Sequence, residues 1–479
     1  MQLKELLKYL QVKETVGDTD IEINGLCADS QKVKEGDLFF CFAGANHDSH
    51  ADMLEITDNG AVAVVCEKRL NSPVTQIIVD SGRAQIARAA QAFYGFADRK
   101  LKIVAVTGTN GKTTTTHMLA SIFRSNGHST GVIGTLGISY GEKFISPELT
   151  TPDPIFLYSV LADMASAGVK YVFMEVSAHA IYYDKIYGLN FEVGIFTNCT
   201  QDHLDFFGNM KAYGECKKRL FKDGRCKTAV INSDDALGVE ILSTLKNAVS
   251  YGLKNPADVF AVDIRESLDG TTFVLNLQDE LYEIKLCLTA THNVYNAMAA
   301  AACAKIFGMK MSAIANGLFE LKSVSGRLER VAKYNGADIF VDFAHTPDGL
   351  EKSLQSLKKL CAGKLYCLFG CGGNRDKTKR PIMGKVVAEY SDFCIITSDN
   401  PRYEDPYDII SEIEAGVKPT GKKYVTVSER EVATEYAIRL LEKGDILLVA
   451  GKGGEQYQEI MGIKHSYNDN TVIKNIIGG

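Results

Sequence analysis

An apolar segment, a glycine-containing loop and a segment with helical periodicity follow one another between residues 102 and 123. The β-branched run at 103–106 is typical of a buried strand, and the loop after it carries Lys112 and Thr113. Such a strand–loop–helix unit binds phosphate, because backbone N–H groups and the helix N-terminus face the anion. Lys112 can reach the outer phosphates and Thr113 can ligate Mg²⁺. The unit predicts a nucleoside triphosphate site in an α/β fold.

The loop is shorter than the general phosphate-binding pattern. That pattern has a glycine five positions before Gly111, where this chain has Val106. One alternative is a glycine turn that only caps a helix. We favour the phosphate site because a strand, Gly-Lys-Thr and a helix coincide here.

Length and composition are typical of a globular protein with several domains. At 479 residues the chain is too long for one compact core, so about two to four domains are expected. A net charge of −6 gives no support for a nucleic-acid partner. We expect a cytoplasmic protein without membrane insertion, since no apolar run could span a bilayer and no signal-peptide pattern begins the chain. The 12 cysteines include no C-x-x-C pair, which favours reduced thiols.

The order of predicted elements divides the chain into three α/β domains. Residues 1–98 form a small N-terminal domain with short strands and one helix. Residues 99–322 predict a central parallel-sheet ATPase domain around the phosphate loop, with an antiparallel addition near 273–277. Residues 323–479 predict a C-terminal Rossmann-like domain with five strands, four of which end in polar loops. Because ligands bind beyond the carboxyl ends of such strands, these loops predict a second ligand site.

Two strand ends in the central domain carry candidate metal ligands. The apolar run at 171–175 ends in Glu175, which can help to hold Mg²⁺, although a strand that ends in Glu also occurs by chance. The next strand end carries Asp202, His203 and Asp205, which suit either a metal site or a structural histidine. Helical periodicity alone predicts that Lys217 is a solvated surface lysine.

The polar loops of the third domain combine groups that suit an amino acid. Arg375 and Arg402 supply guanidinium groups that can pair with carboxylates, while Asn400 and Glu455 supply an amide and a carboxylate. Pro401 restricts the loop geometry, which favours a shaped site. The alternative is that these residues are solvated loop charges.

These motifs together resemble the Mur ligases, which build the peptide of bacterial peptidoglycan. The resemblance covers the whole chain and rests on segments 107–114, 175–179, 197–205, 292–296, 326–329 and 341–348. Residues 29–30 and 36–39 further resemble the UDP-binding domain of the tripeptide-forming member. Asp-Asn-Pro-Arg at 399–402 resembles the signature of members that add meso-2,6-diaminopimelate.

The resemblance implies a reaction and a set of catalytic residues. ATP phosphorylates the glutamate γ-carboxylate of UDP-N-acetylmuramoyl-L-Ala-D-Glu, and the diaminopimelate amine attacks the acyl phosphate to give an amide, ADP and phosphate. Lys112, Glu175, His203 and Lys217 are then the catalytic residues. One Mg²⁺ is expected on Thr113 and Glu175, and a second near His203 and Lys217, with Lys217 carbamylated to N6-carboxylysine.

The resemblance also implies three groups of binding residues. The ATP-binding residues are Gly108, Thr109, Asn110, Gly111, Lys112, Thr113, Thr114, Asn293, Asn296, Arg327 and Asp342. The residues for the UDP-muramoyl dipeptide are Ser30, Asn46, His47, Thr150, Thr151, Ser177 and Lys185. The residues for diaminopimelate are Arg375, Asp399, Asn400, Pro401, Arg402, Gly451 and Glu455.

The chain departs from the usual pattern at Gln31, Ser49, Lys185 and Gly454. Gly454 replaces a frequent histidine within the predicted amino-acid site, so the same ligase with L-lysine or another diamino acid is the alternative. Further alternatives are a regulatory NTPase and a folate-type polyglutamate ligase. We expect a monomer whose partners are small-molecule substrates only.

Overall fold

The computed structural model describes residues 1–43, 47–146, 148–222 and 224–478. In this part of the chain, stretches of alternating strands and helices are interrupted by runs of consecutive strands, of which the longest covers residues 248–286. The strands are β1 (Val12–Val16), β2 (Gly25–Cys27), β3 (Asp37–Phe40), β4 (Ala63–Cys66), β5 (Thr75–Val79), β6 (Lys102–Thr107), β7 (Thr130–Gly134), β8 (Gly137–Tyr140), β9 (Lys143–Ile145), β10 (Tyr171–Glu175), β11 (Phe191–Phe196), β12 (Cys226–Asn232), β13 (Ala248–Tyr251), β14 (Val259–Ser267), β15 (Gly270–Leu277), β16 (Glu280–Leu286), β17 (Glu329–Tyr334), β18 (Ala337–Asp342), β19 (Leu365–Phe369), β20 (Phe393–Ile396), β21 (Tyr424–Thr426), β22 (Ile446–Ala450), β23 (Tyr457–Ile460) and β24 (Ile463–Ser466).

Turns join the consecutive antiparallel strands, and helices or short 3-10 turns lie in most other connections. The helices are α1 (Leu3–Leu7), α2 (Met53–Asp58), α3 (Gly82–Phe93), α4 (Lys112–Ser125), α5 (Pro154–Ser166), α6 (Ala178–Tyr182), α7 (Leu204–Phe207), α8 (Met210–Lys218), α9 (Ala236–Thr244), α10 (Thr291–Ile306), α11 (Met311–Glu320), α12 (Pro347–Leu360), α13 (Lys379–Tyr390), α14 (Pro406–Val417), α15 (Arg430–Arg439) and α16 (Asp469–Gly478).

Two compact units share the chain. The first unit comprises Met1–Ala105, Ser129–Glu192 and Lys222–Lys227, and the second comprises Val106–His128, Val193–Phe221 and Thr228–Gly479. The division passes through β6, β11 and β12. It follows spatial contacts rather than the three sequence domains, whose boundaries at 98 and 322 stay a prediction.

The first unit begins with a five-stranded sheet in the order β1-β5-β4-β3-β2. The pairs from β2 to β5 are parallel and β1 is antiparallel. Strands β4 and β5 are buried throughout, and accordingly β4 is wholly apolar and β5 ends in three apolar residues. Helix α3 begins where the Ser81 hydroxyl accepts a hydrogen bond from the Ala84 N–H. In the same unit, β10 and β7 form a parallel pair, and β8 and β9 extend it antiparallel.

The second unit contains the predicted antiparallel addition. Strands β12, β13 and β14 pair in parallel, and β14, β15 and β16 continue as an antiparallel meander. The addition is larger than the single hairpin strand that the sequence indicates. Alanine-rich α10 is buried along most of its length, since small side chains let it pack closely against neighbouring elements.

The C-terminal sheet has the order β17-β18-β22-β19-β20-β21. All five predicted strands are present and parallel, and β17 joins them antiparallel. Side chains from alternate positions fill two hydrophobic clusters, one on each face of the sheet. The α/β class and the Rossmann-like arrangement are therefore confirmed.

A fully buried ion pair fixes the carboxyl ends of two of these strands. Arg430 contacts Asp469 through Nε at 2.8 Å and Nη2 at 2.9 Å, and both side chains are 0% exposed. The same guanidinium donates to the carbonyls of Ala450, at 2.8 Å, and Ser398, at 3.4 Å. Burial alone would lower the pKa of Arg430, but the charge and hydrogen bonds of Asp469 raise it. The pair therefore ties β20 and β22 to the start of α16.

We predict that Asp469→Ala destabilises the folded chain by about 3–5 kcal/mol, because Arg430 would remain as an uncompensated buried charge. The control is Glu435→Ala, which removes the partner of exposed Arg439 on the same α15 and should cost little stability, because water screens this pair. Denaturant unfolding measures both. Equal losses in the two variants would contradict this account of the buried pair.

Candidate functional site

The predicted phosphate loop connects the end of β6 to the start of α4. Gly108 and Gly111 have φ angles of +150° and +88°, and both lie against other backbone or side-chain atoms. A Cβ on Gly108 would lie 1.9 Å from Thr197 Oγ1, and one on Gly111 would lie 2.5 Å from Asn296 Oδ1. Only glycine fits these positions without displacing the neighbours.

Side chains from the segment after β11 hold the loop in shape. Asn198 Oδ1 accepts a hydrogen bond from the Asn110 N–H at 2.9 Å, and Thr197 Oγ1 donates to the Asn110 carbonyl at 2.6 Å. Thr109 Oγ1 accepts from the Thr200 N–H at 3.1 Å. The loop is thus preorganised by the protein, which lowers the cost of ordering it around a ligand.

The two predicted loop residues Lys112 and Thr113 lie at the N-terminus of α4. Lys112 Nζ donates to the carbonyls of Gly108 and Thr109, each at 2.8 Å, which keeps the ammonium beside the loop. The Thr113 hydroxyl is buried and accepts a hydrogen bond from Arg327 Nη2 at 2.9 Å. Arg327 therefore reaches the start of α4, and its contact with the nucleotide stays a prediction.

Residues of the C-terminal sequence region also meet this loop within the second unit. The Arg327 guanidinium lies 4.3 Å from the centroid of the Phe343 ring, in a cation–π contact. Asn110 Nδ2 donates to Asp348 Oδ2 at 2.9 Å. The sequence analysis did not select Phe343 or Asp348 as site residues, although both lie in the 341–348 motif that could have indicated them.

The remaining predicted ATP residues have separate surroundings. Asn296 Nδ2 donates to Asn293 Oδ1 at 3.1 Å, and Asn296 Oδ1 lies beside the phosphate loop. Buried Thr114 belongs to the first turn of α4. Asp342 ends β18 and accepts from Ser353 Oγ at 2.6 Å, so its carboxylate is oriented by α12.

In the first unit, Glu175 ends β10 as predicted and is 1% exposed. Its two oxygens accept hydrogen bonds from the Thr135 N–H at 2.9 Å and the Thr135 hydroxyl at 3.1 Å. The Thr150 hydroxyl lies 3.1 Å from that of Thr135, and Thr151 bonds to the Glu175 carbonyl and to the Ser177 N–H. Three predicted substrate residues therefore lie close to this carboxylate.

The other predicted substrate residues of the first unit are dispersed. Lys185 pairs with Asp153 at 2.7 Å. The Ser30 carbonyl accepts a hydrogen bond from Asn59 Nδ2 at 3.2 Å. His47 is exposed, and its hydrogen bond to Asp52 raises the pKa of its imidazole. Asn46 lies outside the described residues.

Lys217 is 1% exposed, so the periodicity-based prediction of a solvated lysine is wrong. It lies on α8, and its Nζ is 4.3 Å from the centroid of the Tyr213 ring. Burial lowers the pKa of Lys217 to about 8. A larger neutral fraction near physiological pH suits reaction with CO₂, because only the neutral amine is a nucleophile.

His203 lies next to a buried carboxylate. Its Nε2 is 3.3 Å from Asp202 Oδ2, and its own φ is +55°. Burial alone would raise the pKa of Asp202, but His345, His203 and Lys379 lower it well below its usual range. Lys379 Nζ and His345 Nε2 each lie 3.7 Å from this carboxylate, so the C-terminal region contributes to its surroundings.

Each unit offers an oxygen donor of the kind that Mg²⁺ prefers. Glu175 in the first unit offers a buried, oriented carboxylate, and Thr113 in the second unit offers a buried hydroxyl. A carbamylated Lys217 would add a further oxygen donor. Within the described residues, no group of three or more His, Cys, Asp or Glu side chains is arranged to hold a metal ion.

The predicted amino-acid residues form a connected cluster beyond β20 and β22. Asn400 donates to Glu455 Oε2 at 2.9 Å. Lys452, which is 0% exposed, donates to Asn400 Oδ1 at 3.0 Å and Glu455 Oε2 at 2.9 Å. The sequence analysis did not select Lys452, because nothing in the sequence indicates that this lysine is buried.

Two further loop positions complete the cluster. A Cβ on Gly451, whose φ is +111°, would lie 2.5 Å from Asp399 Oδ2. Burial alone would raise the pKa of Asp399, but the charges of Lys452 and Arg430 outweigh this effect and hold the pKa below its usual value. Arg375 is exposed, and its stem lies near Arg402: a Cβ on Gly372 would be 3.8 Å from Arg375 Cγ and 3.0 Å from Arg402 Nη1.

The Asp-Asn-Pro-Arg loop places Arg402 in a constrained position. Arg402 has a φ of +53°, and its Nη1 donates to the Gly373 carbonyl at 2.7 Å. A Cβ on Gly373 would lie 1.9 Å from the Pro401 carbonyl, so the two loops approach closely here. Glu459, which the sequence analysis did not select, accepts from Arg402 Nε at 3.1 Å.

Comparison with known proteins matches this arrangement to one family. Residues 106–304 match the Mur ligase middle domain and residues 326–453 match the Mur ligase glutamate ligase domain. The UDP-N-acetylmuramoyl-L-alanyl-D-glutamate–2,6-diaminopimelate ligase of Caldanaerobacter subterraneus subsp. tengcongensis is 38% identical, over 100% of this chain and 99% of its own. A Clostridium acetobutylicum protein of the same name, numbered 1, is 40% identical over 99% and 98%. The chain belongs to the Mur ligase family.

Solved structures agree with this membership. A UDP-N-acetylmuramoyl-L-alanyl-D-glutamate–2,6-diaminopimelate ligase superposes with a TM-score of 0.71 at 30% identity, covering 100% of this chain and 99% of that one. MurF ligase of Thermotoga maritima, solved in complex with ADP, has a TM-score of 0.64 at 21% identity, with 95% and 96% covered, and shares the fold.

The family membership confirms the predicted class of enzyme. This Mur ligase is an ATP-dependent ligase that forms amide bonds. The assignment of the phosphate loop to its ATP site stays a prediction. Among the described helices, none is both long and apolar enough to cross a membrane.

We predict that burial of Lys217 makes the stability of this Mur ligase pH-dependent in CO₂-free buffer. The folded-state pKa of about 8 lies below the unfolded value of 10.5, so the folded state is penalised by on the order of 3 kcal/mol below pH 8. Above pH 8 the unfolded state binds more protons, so stability rises until about pH 10.5. Thermal unfolding of the unmodified chain and of Lys217→Met across pH 7–10.5 measures the free energy of unfolding of each. The difference between these two free energies should change by this amount. A difference that stays constant with pH would refute the prediction.

Proposed function

We propose that this Mur ligase adds meso-2,6-diaminopimelate to the D-glutamate of UDP-N-acetylmuramoyl-L-Ala-D-Glu in peptidoglycan synthesis. The observation that carries the proposal is the Arg402 loop, found in a chain that matches full-length relatives named for this reaction. Arg402 presents a guanidinium beside the Asn400–Glu455 cluster. A second amino-acid carboxylate on the amine substrate would suit such a group.

The reaction proceeds through an acyl phosphate. An oxygen of the glutamate γ-carboxylate bonds to the γ-phosphorus of ATP, and ADP leaves. The amine then attacks the acyl carbon and loses a proton, an amide bond forms, and phosphate leaves with one oxygen of the original carboxylate. Catalysis consists mainly of positioning and charge stabilisation, as in other phosphoryl transfers.

The described residues suit these roles. The loop N–H groups and Lys112 bind the phosphates of ATP, and Arg327 beside Thr113 adds a second positive charge. Thr150, Thr151 and Ser177 offer hydroxyl groups near Glu175 for the muramoyl dipeptide. The resemblance implies one Mg²⁺ on Thr113 and Glu175 and a second near His203 and carbamylated Lys217, and these ions would neutralise phosphate charge when bound.

The alternative substrate is L-lysine, which lacks the distal carboxylate of diaminopimelate. One observation favours this alternative: Arg402 already contacts the carboxylate of Glu459 and so has a partner without diaminopimelate. We retain diaminopimelate because the Asp-Asn-Pro-Arg loop and the full-length relatives point to it together. A monomer in the cytoplasm, where ATP and UDP-linked precursors occur, completes the proposal.

We predict that phosphate release in the presence of ATP and the UDP-muramoyl dipeptide depends on the added amine and is faster with diaminopimelate than with lysine. Arg402→Ala should lower kcat/KM for diaminopimelate by about 100-fold, because a charge-assisted contact is lost. Arg439→Ala, at an exposed arginine, serves as control. Higher activity with lysine would overturn the choice of amine, and release that needs no amine would favour a regulatory NTPase.

We predict that Lys217→Ala lowers kcat by at least about tenfold, because the carbamate and its metal contact are lost. Lys218→Ala is the matched control, since this neighbour on α8 pairs with Glu215 and Glu240 at the surface. Steady-state kinetics measure the loss of kcat in each variant, and a mass measurement reports whether the carbamate is present. Full activity of Lys217→Ala would remove Lys217 from the catalytic residues.

A further inference from the structure

The carboxylate of Glu459 takes one side of the Arg402 guanidinium. Its Oε2 accepts from Nε at 3.1 Å, and the two side chains are 20% and 23% exposed. Nε carries a single N–H, so the edge of the guanidinium that includes Nε cannot bind a second carboxylate bidentately while Glu459 remains. Arg402 thus has an internal anion at the position proposed for the distal carboxylate of the substrate.

Main-chain contacts show that this pair belongs to the fold of the loop. The Arg402 N–H donates to the Glu459 carbonyl at 3.1 Å, and the Met461 N–H donates to the Arg402 carbonyl at 2.7 Å. The Glu459 N–H donates to Asn400 Oδ1 at 2.9 Å. Strand β23 is therefore held against the Asp-Asn-Pro-Arg loop, and the side chain of Glu459 starts from a fixed backbone.

The other two acidic residues of the cluster have cationic neighbours, and for Asp399 these are Lys452 and Arg430. Glu455 Oε2 accepts from Lys452 at 2.9 Å and from Asn400 at 2.9 Å. Glu459 is consequently the carboxylate of the cluster that pairs with Arg402.

We infer that Glu459 is a specificity-determining residue. It reduces the preference of the enzyme for a diamino acid that has a distal carboxylate over a diamino acid that lacks one. The inference rests on the proposed function and deepens it. With lysine bound, Glu459 keeps the Arg402 guanidinium paired, so the penalty for an unmatched charge is reduced. With diaminopimelate bound, the distal carboxylate has to displace Glu459 or lie beside a second anion. Part of the binding free energy from its contact with Arg402 is therefore lost.

The test compares both amines in Glu459→Gln and in the unmodified full-length chain. Glutamine keeps the length of the side chain and the main-chain contacts, but it removes the negative charge. We expect the ratio of kcat/KM for diaminopimelate to that for lysine to rise about tenfold. The rise should come from a lower KM for diaminopimelate and a higher KM for lysine, with little change in kcat.

Two controls separate specificity from loss of structure. Glu435→Gln removes the carboxylate partner of Arg439 on α15 and should leave the ratio unchanged. Glu459→Ala should raise the ratio in the same direction as Glu459→Gln. Thermal unfolding of each variant reports whether it folds.

The outcomes are distinct. A ratio that rises threefold or more in the folded Glu459 variants supports the inference, and a smaller change or a fall overturns it while the proposed function stands. If the unmodified chain uses neither amine with the UDP-muramoyl dipeptide, the proposed function fails and the inference fails with it.

Discussion

Charged side chains withdrawn from water determine how the polar loops of this Mur ligase are held. A buried charge is tolerated only with an opposite charge or several hydrogen bonds, so each such group fixes the atoms around it. Arg430 and Asp469 fix the ends of β20 and β22, and Lys452 fixes Asn400 and Glu455. The amino-acid cluster is therefore built on pairs that lie largely inside the protein, not on flexible surface charges.

The same burial has a different consequence at Lys217. Desolvation lowers the pKa of the amine to about 8, which makes it more reactive instead of merely paired. Asp202 nearby is kept ionised by cationic groups from both the central and the C-terminal sequence regions. Within the second unit, burial of charged groups thus holds the loops around Asn400 and Glu455, and at Lys217 it increases the neutral fraction of the amine.

Much of the fold could be predicted from the sequence because its signals are local. The run at 103–106, the glycines of the loop and the start of α4 are each visible within a few residues, and the apolar strands of the C-terminal sheet are continuous because both faces are buried. The burial of Lys217 could not be predicted from a nine-residue helix, since periodicity does not show which neighbours cover it. Only the family resemblance indicated its role.

Contacts between residues that are distant in sequence could not be predicted from the sequence either. The contact between Arg402 and Glu459 spans 57 positions and depends on how β23 meets the loop, and the contact between Arg327 and Thr113 spans 214. Each contact gives a residue that the sequence did indicate, Arg402 or Thr113, a pairing that the sequence did not indicate. The local motifs therefore predict the chemistry, and the tertiary pairing determines how selective that chemistry can be.

The central claim is that the phosphate loop serves to activate a carboxylate. It is tested most directly with UDP-muramoyl dipeptide in which both oxygens of the D-glutamate γ-carboxylate are ¹⁸O. After turnover with ATP and the amine, mass spectrometry of the released phosphate should find one ¹⁸O atom, because the acyl phosphate transfers that oxygen. Phosphate without ¹⁸O from the carboxylate, released in step with amide formation, would contradict the account.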